Sequence, residues 1–393
     1  MRLVVVLRVQ QQLVRLVLRR RVRRRLRRVR QLSGSDRVGL GWRPELAAGV
    51  FAHADRIDVV EVIADDYFRA GRGDLRALRT LSSQVPVVLH GVSLGLASTE
   101  PVDEARLGRM ARVVGEVAPE SWSEHLAFVR GGGIEIGHLA APPRTAETVE
   151  GTARNVARAR AVVGTAPLVE NVASLVDPLG DRSEADWIAD TSAAADADLL
   201  LDLHNLYANA RNLGFDATAA LHRLPLARVR AVHLSGGRWI TAAGGAHRLL
   251  DDHLHDPPDA VYALLVELAR RAPHPLTVIL ERDGEYPRME VLLAQLDRAR
   301  TALAEGRRAR VETAAPADRE RAPRDAALPE KALARLYVEP GLRRRLGTDT
   351  AGVARDLALS SAQTGALSRL DRGDLELAAQ SFARKRAGSR SYI

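Results

Sequence analysis

The chain of 393 residues contains no cysteine. That excludes a disulfide scaffold, thiolate-bound metals, iron–sulfur clusters and a cysteine nucleophile. Any metal site must be built from His, Asp, Glu and Asn, a donor set that suits zinc, manganese or non-heme iron rather than copper(I). Lysine is nearly absent too, with Lys331 and Lys385 alone. So strong a bias toward arginine and alanine is what a GC-rich genome gives, and arginine counts therefore say little. Long apolar runs are missing from the arginine-rich start of the chain. Its longest uncharged stretch, Val9–Val14, is far below the ~20 residues of a membrane span. No clean apolar run leads to a small-residue cleavage site, so the chain reads as cytoplasmic.

What is present is ordinary for a globular protein: 46% hydrophobic and 27% charged residues exclude a fibrous or wholly disordered chain. The net charge of +9 is local. Residues 1–37 carry thirteen arginines against one acid, Asp36, which leaves the rest of the chain near −3. Residues 1–36 read as a basic, disordered N-terminal extension. It fits a solvated arm, a helix touching nucleic acid or anionic lipid, or sequence upstream of the true start. The body has no such excess, and no specific nucleic-acid or membrane partner is expected. Residues 306–328 are rich in Ala, Arg, Pro and acids without apolar periodicity and read as a linker.

Between Val38 and Glu281 lie eight short strand-like runs: 38–41, 57–63, 86–90, 121–126, 167–171, 199–204, 229–234 and 276–281. Most are continuous Val/Leu/Ile, the signature of parallel strands buried on both faces. Helical periodicity separates several of them, as with Leu107, Met110, Val113, Val114 and Val117. Strand and helix alternating eight times predict the α/β fold class, a (β/α)8 TIM barrel over 37–305. Residues 329–393 read as a small all-α domain of four or five helices. Asp349 and Asp371 are its candidate N-caps, and Leu333, Leu336, Tyr337, Leu375, Ala378, Ala379 and Phe382 its apolar stripes.

Polar, ligand-type residues gather at the strand ends. They are Glu61 and Asp65, His90, Glu124 and His125, Glu170 and Asn171, Asp202, His204 and Asn205, His233, and Glu281 with Asp283. In a barrel all these ends point to one face, where active sites of this fold lie. Buried carboxylates and imidazoles are costly unless paired or metal-bound, so a ring of them points to a metal centre. After the seventh strand, Asp251, His253 and His255 form an Asp-x-His-x-His loop that reaches over the same face. His53, His222, His247 and His274 fall in helical or loop contexts and read as structural. The donors suit non-heme iron with open positions, while zinc or manganese, and hydrolase or isomerase chemistry, stay open at this point.

The segments GLGWRPELA, VVLHGVSLGL, SEHLAFVRGGGIEIGHL, LVENVASL, LLLDLHNLYANARNLGFD, VHLSGG, DDHLHDPPDAV and VILERDGEYP together resemble the multinuclear non-heme iron-dependent oxidases, the family of the methanobactin-biosynthesis oxidase. The resemblance runs from about Val38 to Arg300. It implies a barrel holding two irons, or three, that uses O2 to oxidise residues, usually cysteines, of a ribosomally made precursor peptide. It also implies a small partner protein that recognises the leader, unless residues 329–393 replace it as a peptide-recognition module. The implied metal ligands are His90, Glu124 as the bridging carboxylate, His125, Glu170, Asp202, His204, His233, Asp251, His253 and Glu281. Asn171, Asn205 and Asp283 are implied as supporting catalytic groups. Many members carry a His after the first Gly-x-Gly. Here the segment is Trp42-Arg43-Pro44-Glu45, which bears on a third iron unless Glu45 substitutes, and His204 stands where relatives often have Asn or Ala. A non-catalytic metal- or peptide-binding protein is the remaining alternative.

Overall fold

The structure is a computed structural model that describes residues 34–242, 245–310 and 327–388. The expected tail and most of the expected linker lie outside these residues. Twelve strands occur among the described residues: β1 (Arg37–Gly41), β2 (Val60–Ile63), β3 (Val87–Gly91), β4 (Trp122–His125), β5 (Phe128–Gly131), β6 (Ile134–Ala140), β7 (Leu168–Glu170), β8 (Leu199–Asp202), β9 (Val229–Leu234), β10 (Gly237–Thr241), β11 (His247–Asp251) and β12 (Thr277–Leu280). Eight close a barrel in the order β1-β12-β9-β8-β7-β4-β3-β2, every pair parallel. These are the eight runs read from the sequence, and the fold is the expected TIM barrel with helices added at the C-terminal end.

The strands are apolar on both faces because helices cover the outside and side chains fill the inside. The helix Glu104–Val117 shows how the covering works. Asp103 caps it by accepting from the Arg106 N–H at 2.8 Å, and Leu107, Met110, Val113 and Val117 form its buried stripe. Val114, on the shoulder of that stripe, is only partly buried.

Two hairpins stand on the C-terminal face, β5–β6 and β10–β11; neither is a barrel strand. The β5–β6 hairpin carries the C-terminal helices Glu330–Val338, Pro340–Arg345, Thr350–Asp356, Ser361–Arg369 and Arg372–Gly388. Asp349 and Asp371 do cap, accepting from Gly352 N–H at 2.8 Å and Asp374 N–H at 2.9 Å. Phe128, Ile136 and Ala140 of the hairpin share one apolar core with Leu333, Leu336, Tyr337, Leu375 and Ala378. Polar ties join the two parts. The buried Glu330 carboxylate accepts from Ser98 Oγ at 2.6 Å and Thr99 N–H at 2.9 Å. Asp374 pairs with Arg248 of β11 at 2.7 Å. No helix among the described residues is long and apolar enough to cross a membrane.

Candidate metal centre

Strand register sets the site. His125 of β4 lies beside Glu170 of β7, and Asp202 of β8 beside His233 of β9. Side chains alternate along a strand, so Ser123 and His125 face the lumen while Trp122 and Glu124 face the helices. The inward groups converge at the C-terminal mouth of the barrel. Two sets of ligand atoms come together there: His90, His125 and Glu170, and Glu170, Asp202, His233 and Glu281, with the atoms of each set within 4.8 Å of one another. Glu170 is common to both. Its Oε2 is 3.4 Å from Nε2 of both His90 and His125, and its Oε1 is 3.0 Å from Nδ1 of His233.

The imidazoles are pre-oriented. Nδ1 of His125 can only donate to the Gly91 carbonyl, at 3.1 Å, which directs Nε2 into the lumen. His90 Nδ1 shares a hydrogen bond of 2.8 Å with Ser123 Oγ, which also lies 3.4 Å from the Leu89 carbonyl, so Nε2 of His90 likewise faces Glu170. Holding the second ring nitrogen in this way is how proteins orient metal-ligating histidines.

Electrostatics are severe in this cluster. Burial, reinforced by the fields of His125 and His233, holds His90 well below the usual imidazole range. Burial works against the His125 imidazolium as well, but Glu170 and Glu124 outweigh it and raise the group to about 9. His233 is likewise raised against burial, by Glu281, Glu61 and Glu170. Asp202 is pushed well above the carboxylate range by burial and by Asp251 and Glu170. Glu170 Oε2 and Asp202 Oδ2 are buried without a hydrogen-bond partner. Orphaned, buried carboxylate oxygens converging with imidazole nitrogens are what a cation would satisfy, so the residues present fit a metal ion at each set.

Several expected residues sit elsewhere. Glu124 joins neither set: it faces outward, and its carboxylate accepts from the N–H groups of Leu94 at 3.2 Å and His125 at 3.0 Å. Glu170 holds the shared position expected of Glu124. His204 is turned away because the chain leaves β8 at Asp202 and begins the helix Leu203–Leu213, capped by Asp202 on Asn205 N–H at 2.7 Å. Its Nδ1 pairs with Asp251 at 2.9 Å, and its ring lies against Gly237. The Asn171 amide is consumed by the backbone of Asp202, with two bonds of 2.9 Å, so it positions Asp202. Asn205 donates to the Asn171 carbonyl at 3.0 Å. Its Oδ1 is buried and unpartnered, and the residue lines the cleft above the site.

Asp251 and His253 form a flank of the centre. Asp251 Oδ2 lies 2.9 Å from His253 Nε2, and His253 Nδ1 is 3.6 Å from Glu281 and 3.4 Å from Asp283. The backbone of His253 is left-handed, with φ +56°, a conformation retained when surrounding structure enforces it. Asp283 pairs with Arg43, whereas Glu45 is exposed and does not substitute in the centre. His255 turns outward to Asp252 at 3.0 Å.

Two residues of this region escaped the sequence-based ligand set. Glu61, noted only as a strand-end acid, is buried and lies 3.0 Å from His233 Nε2; its place on the inward face of β2 was the available signal. His138, on β6, lines the cleft and carried no sequence signal, since the hairpin was not foreseen. The cleft above the centre has a volume of about 600 Å³. It is walled by β6 on one side and by β10–β11 on another, and is completed by the last helix.

Residues 37–304 match the family described as RiPP precursor modification enzyme MbnB/TglH/ChrH. Relatives named UPF0276 protein include one from Streptomyces avermitilis, 35% identical over 286 residues, which are 71% of this chain and 57% of that protein. One from Caulobacter vibrioides is 34% identical over 279 residues, 70% of this chain and 98% of that protein. The chain thus spans little more than half of the Streptomyces relative and nearly all of the Caulobacter one. Among solved structures, an L-ribulose 3-epimerase covers 70% of this chain and 96% of its own, at 14% identity and a TM-score of 0.45.

Proposed function

The chain belongs to the RiPP precursor modification enzymes of the MbnB/TglH/ChrH family, and from that premise we propose that it is an iron-dependent oxidase that uses O2 to oxidise a residue, a cysteine in the first instance, of a ribosomally made precursor peptide in the cytoplasm. The observation that carries the reading is the pair of ligand sets sharing Glu170 at the base of a cleft of about 600 Å³. His90, His125 and Glu170 would hold one iron, and Glu170, Asp202, His233 and Glu281 a second, with Asp251 and His253 alongside. A third iron is not required by the two sets. Bound iron supplies electrons to O2 and a Lewis-acid position for a substrate sulfur.

The chain's own groups supply geometry and charge. The Gly91 carbonyl and Ser123 orient His125 and His90, and Asn171 fixes the backbone of Asp202. Arg43 neutralises Asp283 beside His253, which keeps that flank from adding a further unpaired anion to the centre. In the metal-free state, protons on His125 and His233 balance the carboxylates, and a metal bound there would take their place.

The test is metal analysis of protein purified without oxygen, followed by exposure to air with the peptide encoded beside its gene. The expected result is about two irons per chain and a mass change that maps to cysteine and disappears in the Cys→Ser peptide. Zinc or manganese at full occupancy, with no oxygen consumed, would favour a hydrolase or isomerase and overturn this reading. A mass change that appears only when a separate leader-binding protein is added would assign recognition to that partner.

A further inference from the structure

The last helix, Arg372–Gly388, is an edge of the cleft as well as part of the C-terminal core. Phe382 lines the cleft, and its ring sits 4.9 Å from that of Tyr337 and 5.2 Å from that of His138. The helix is fitted closely to β6. Arg386 donates to the Ile136 carbonyl and crosses the strand at Gly137, whose φ is +78° and where a Cβ would meet Arg386 Cγ at 1.9 Å. A side chain there would be strained by the backbone and would displace Arg386. Arg384 and Lys385, in the turn between Phe382 and Arg386, are thereby held at the rim.

Five cationic side chains line this cleft. Three are matched by the protein's own acids: Arg43 by Asp283, Arg106 by Glu135 at 3.0 Å, and Arg238 by Asp252 at 3.3 Å. Arg384 and Lys385 are exposed and form no ion pair among the described residues. Lys385 is one of only two lysines in the chain. On the facing strand β6, burial and the field of Lys385 push His138 down to about 3, and the one acid, Glu135, is taken by Arg106 at 3.0 Å and Arg130 at 3.6 Å. Within the cleft lining, Arg384 and Lys385 are thus the two cations without an acidic partner among the described residues, and they are adjacent.

We propose that Arg384 and Lys385 bind a carboxylate of the peptide substrate, so that the C-terminal helix favours peptides that present a carboxylate to the cleft. The inference rests on the peptide-modifying reading above and names the chemistry of that substrate. The carboxylate belongs to an Asp or Glu side chain or to the peptide C-terminus. The attraction between two rim cations and an anion is long-ranged enough to guide entry at low salt and is screened above the Debye length.

The test uses the full chain and labelled hexapeptides without cysteine, so that no oxidation is involved. The probes are rhodamine-Ala-Leu-Glu-Glu-Ser-Ala-amide, its Gln-Gln counterpart as amide, and the Gln-Gln counterpart with a free C-terminal carboxylate. Fluorescence anisotropy at low salt should show the Glu peptide, the free-carboxylate peptide or both binding about fivefold or more tighter than the neutral amide, as expected for two partly exposed charge pairs. Which probe gains identifies the source of the carboxylate. The double variant Arg384→Gln, Lys385→Gln should abolish the gain, with an unchanged circular dichroism spectrum and melting temperature. Equal affinities for all three probes, an absence of binding, or a gain that survives in the double variant would each overturn the proposal. None of these outcomes depends on iron or oxygen, so the oxidase reading stands or falls separately.

Discussion

Replacing Glu170 by Gln keeps the shape of the side chain and removes the one carboxylate common to both ligand sets. Absolute stability is a poor readout of this change. Loss of the buried partner of His233 costs several kcal/mol, yet the same change relieves repulsion among Glu61, Asp202 and Glu281. The cleaner quantity is the rise in melting temperature on adding metal. A ligand present at about 1,000 times its Kd stabilises the native state by ~4 kcal/mol. At ~2–4 °C per kcal/mol for a domain of this size, wild type should melt about 8 °C or more higher with anaerobic Fe(II) than without it. Glu170→Gln weakens both positions and should shift by under ~2 °C, with both irons lost by elemental analysis. His90→Ala, which touches one set, should retain about one iron. A Glu170→Gln protein that holds two irons and shows the full thermal shift would refute the shared-carboxylate geometry.

Three further outcomes follow from packing and burial. Leu333 is fully buried in the core shared with the hairpin. Leu333→Ala should cost ~3–5 kcal/mol and lower the urea midpoint seen by tryptophan fluorescence, although all four tryptophans lie outside the C-terminal helices; an unmoved midpoint would make those helices an independent unit. Gly151 and Gly115 form a paired test: a Cβ at Gly151 would meet the Ser98 carbonyl oxygen at 2.3 Å, whereas none of the neighbours of Gly115 comes within 4 Å. Gly115→Ala should therefore raise the melting temperature by helix propensity, worth ~0.5–1 kcal/mol, while Gly151→Ala lowers it; matching signs would refute the packing. Burial lifts Glu184 from 4.5 to about 7, against Arg144 and Asn209, which favour its charge. The folded state then holds a proton that the unfolded chain has released, so Glu184 makes stability fall as pH rises from about 4.5 to about 7. At ~1.4 kcal/mol per pH unit the loss is at most about 3 kcal/mol. Glu184→Gln should flatten that part of the denaturation profile, and an unchanged slope would contradict the assignment.

The barrel was legible because its strands are buried on both faces, which writes each as an unbroken apolar run, and because the polar residues interrupt those runs at one end only. The inward groups His90, His125, Glu170, Asp202, His233 and Glu281 were legible for the same reason. Glu124 and His125 show the limit. Adjacent residues on a strand face opposite ways, but a four-residue strand buried on both sides gives no alternation to say which is which. His204 was hidden by a boundary: Asp202 ends the strand and caps a helix at once, so two residues further along the side chain turns away from the lumen. The β5–β6 hairpin went unseen because Gly132 and Gly133 lie within a motif that read as a single extended segment. Docking of the C-terminal helices on β5–β6 depends on contacts between residues some two hundred positions apart, which no local pattern encodes.

The rim formed by Phe382, Arg384 and Lys385 is covalently continuous with the barrel whose cleft it borders. A wall supplied by a separate protein would come and go with dilution, and the fraction of complete clefts would follow an association constant and the ratio of two expression levels. Here that fraction is set by intramolecular docking and is the same at nanomolar as at micromolar protein. Turnover per chain should therefore hold steady on dilution as far as this wall is concerned, and any loss of activity at low protein would report a component other than it.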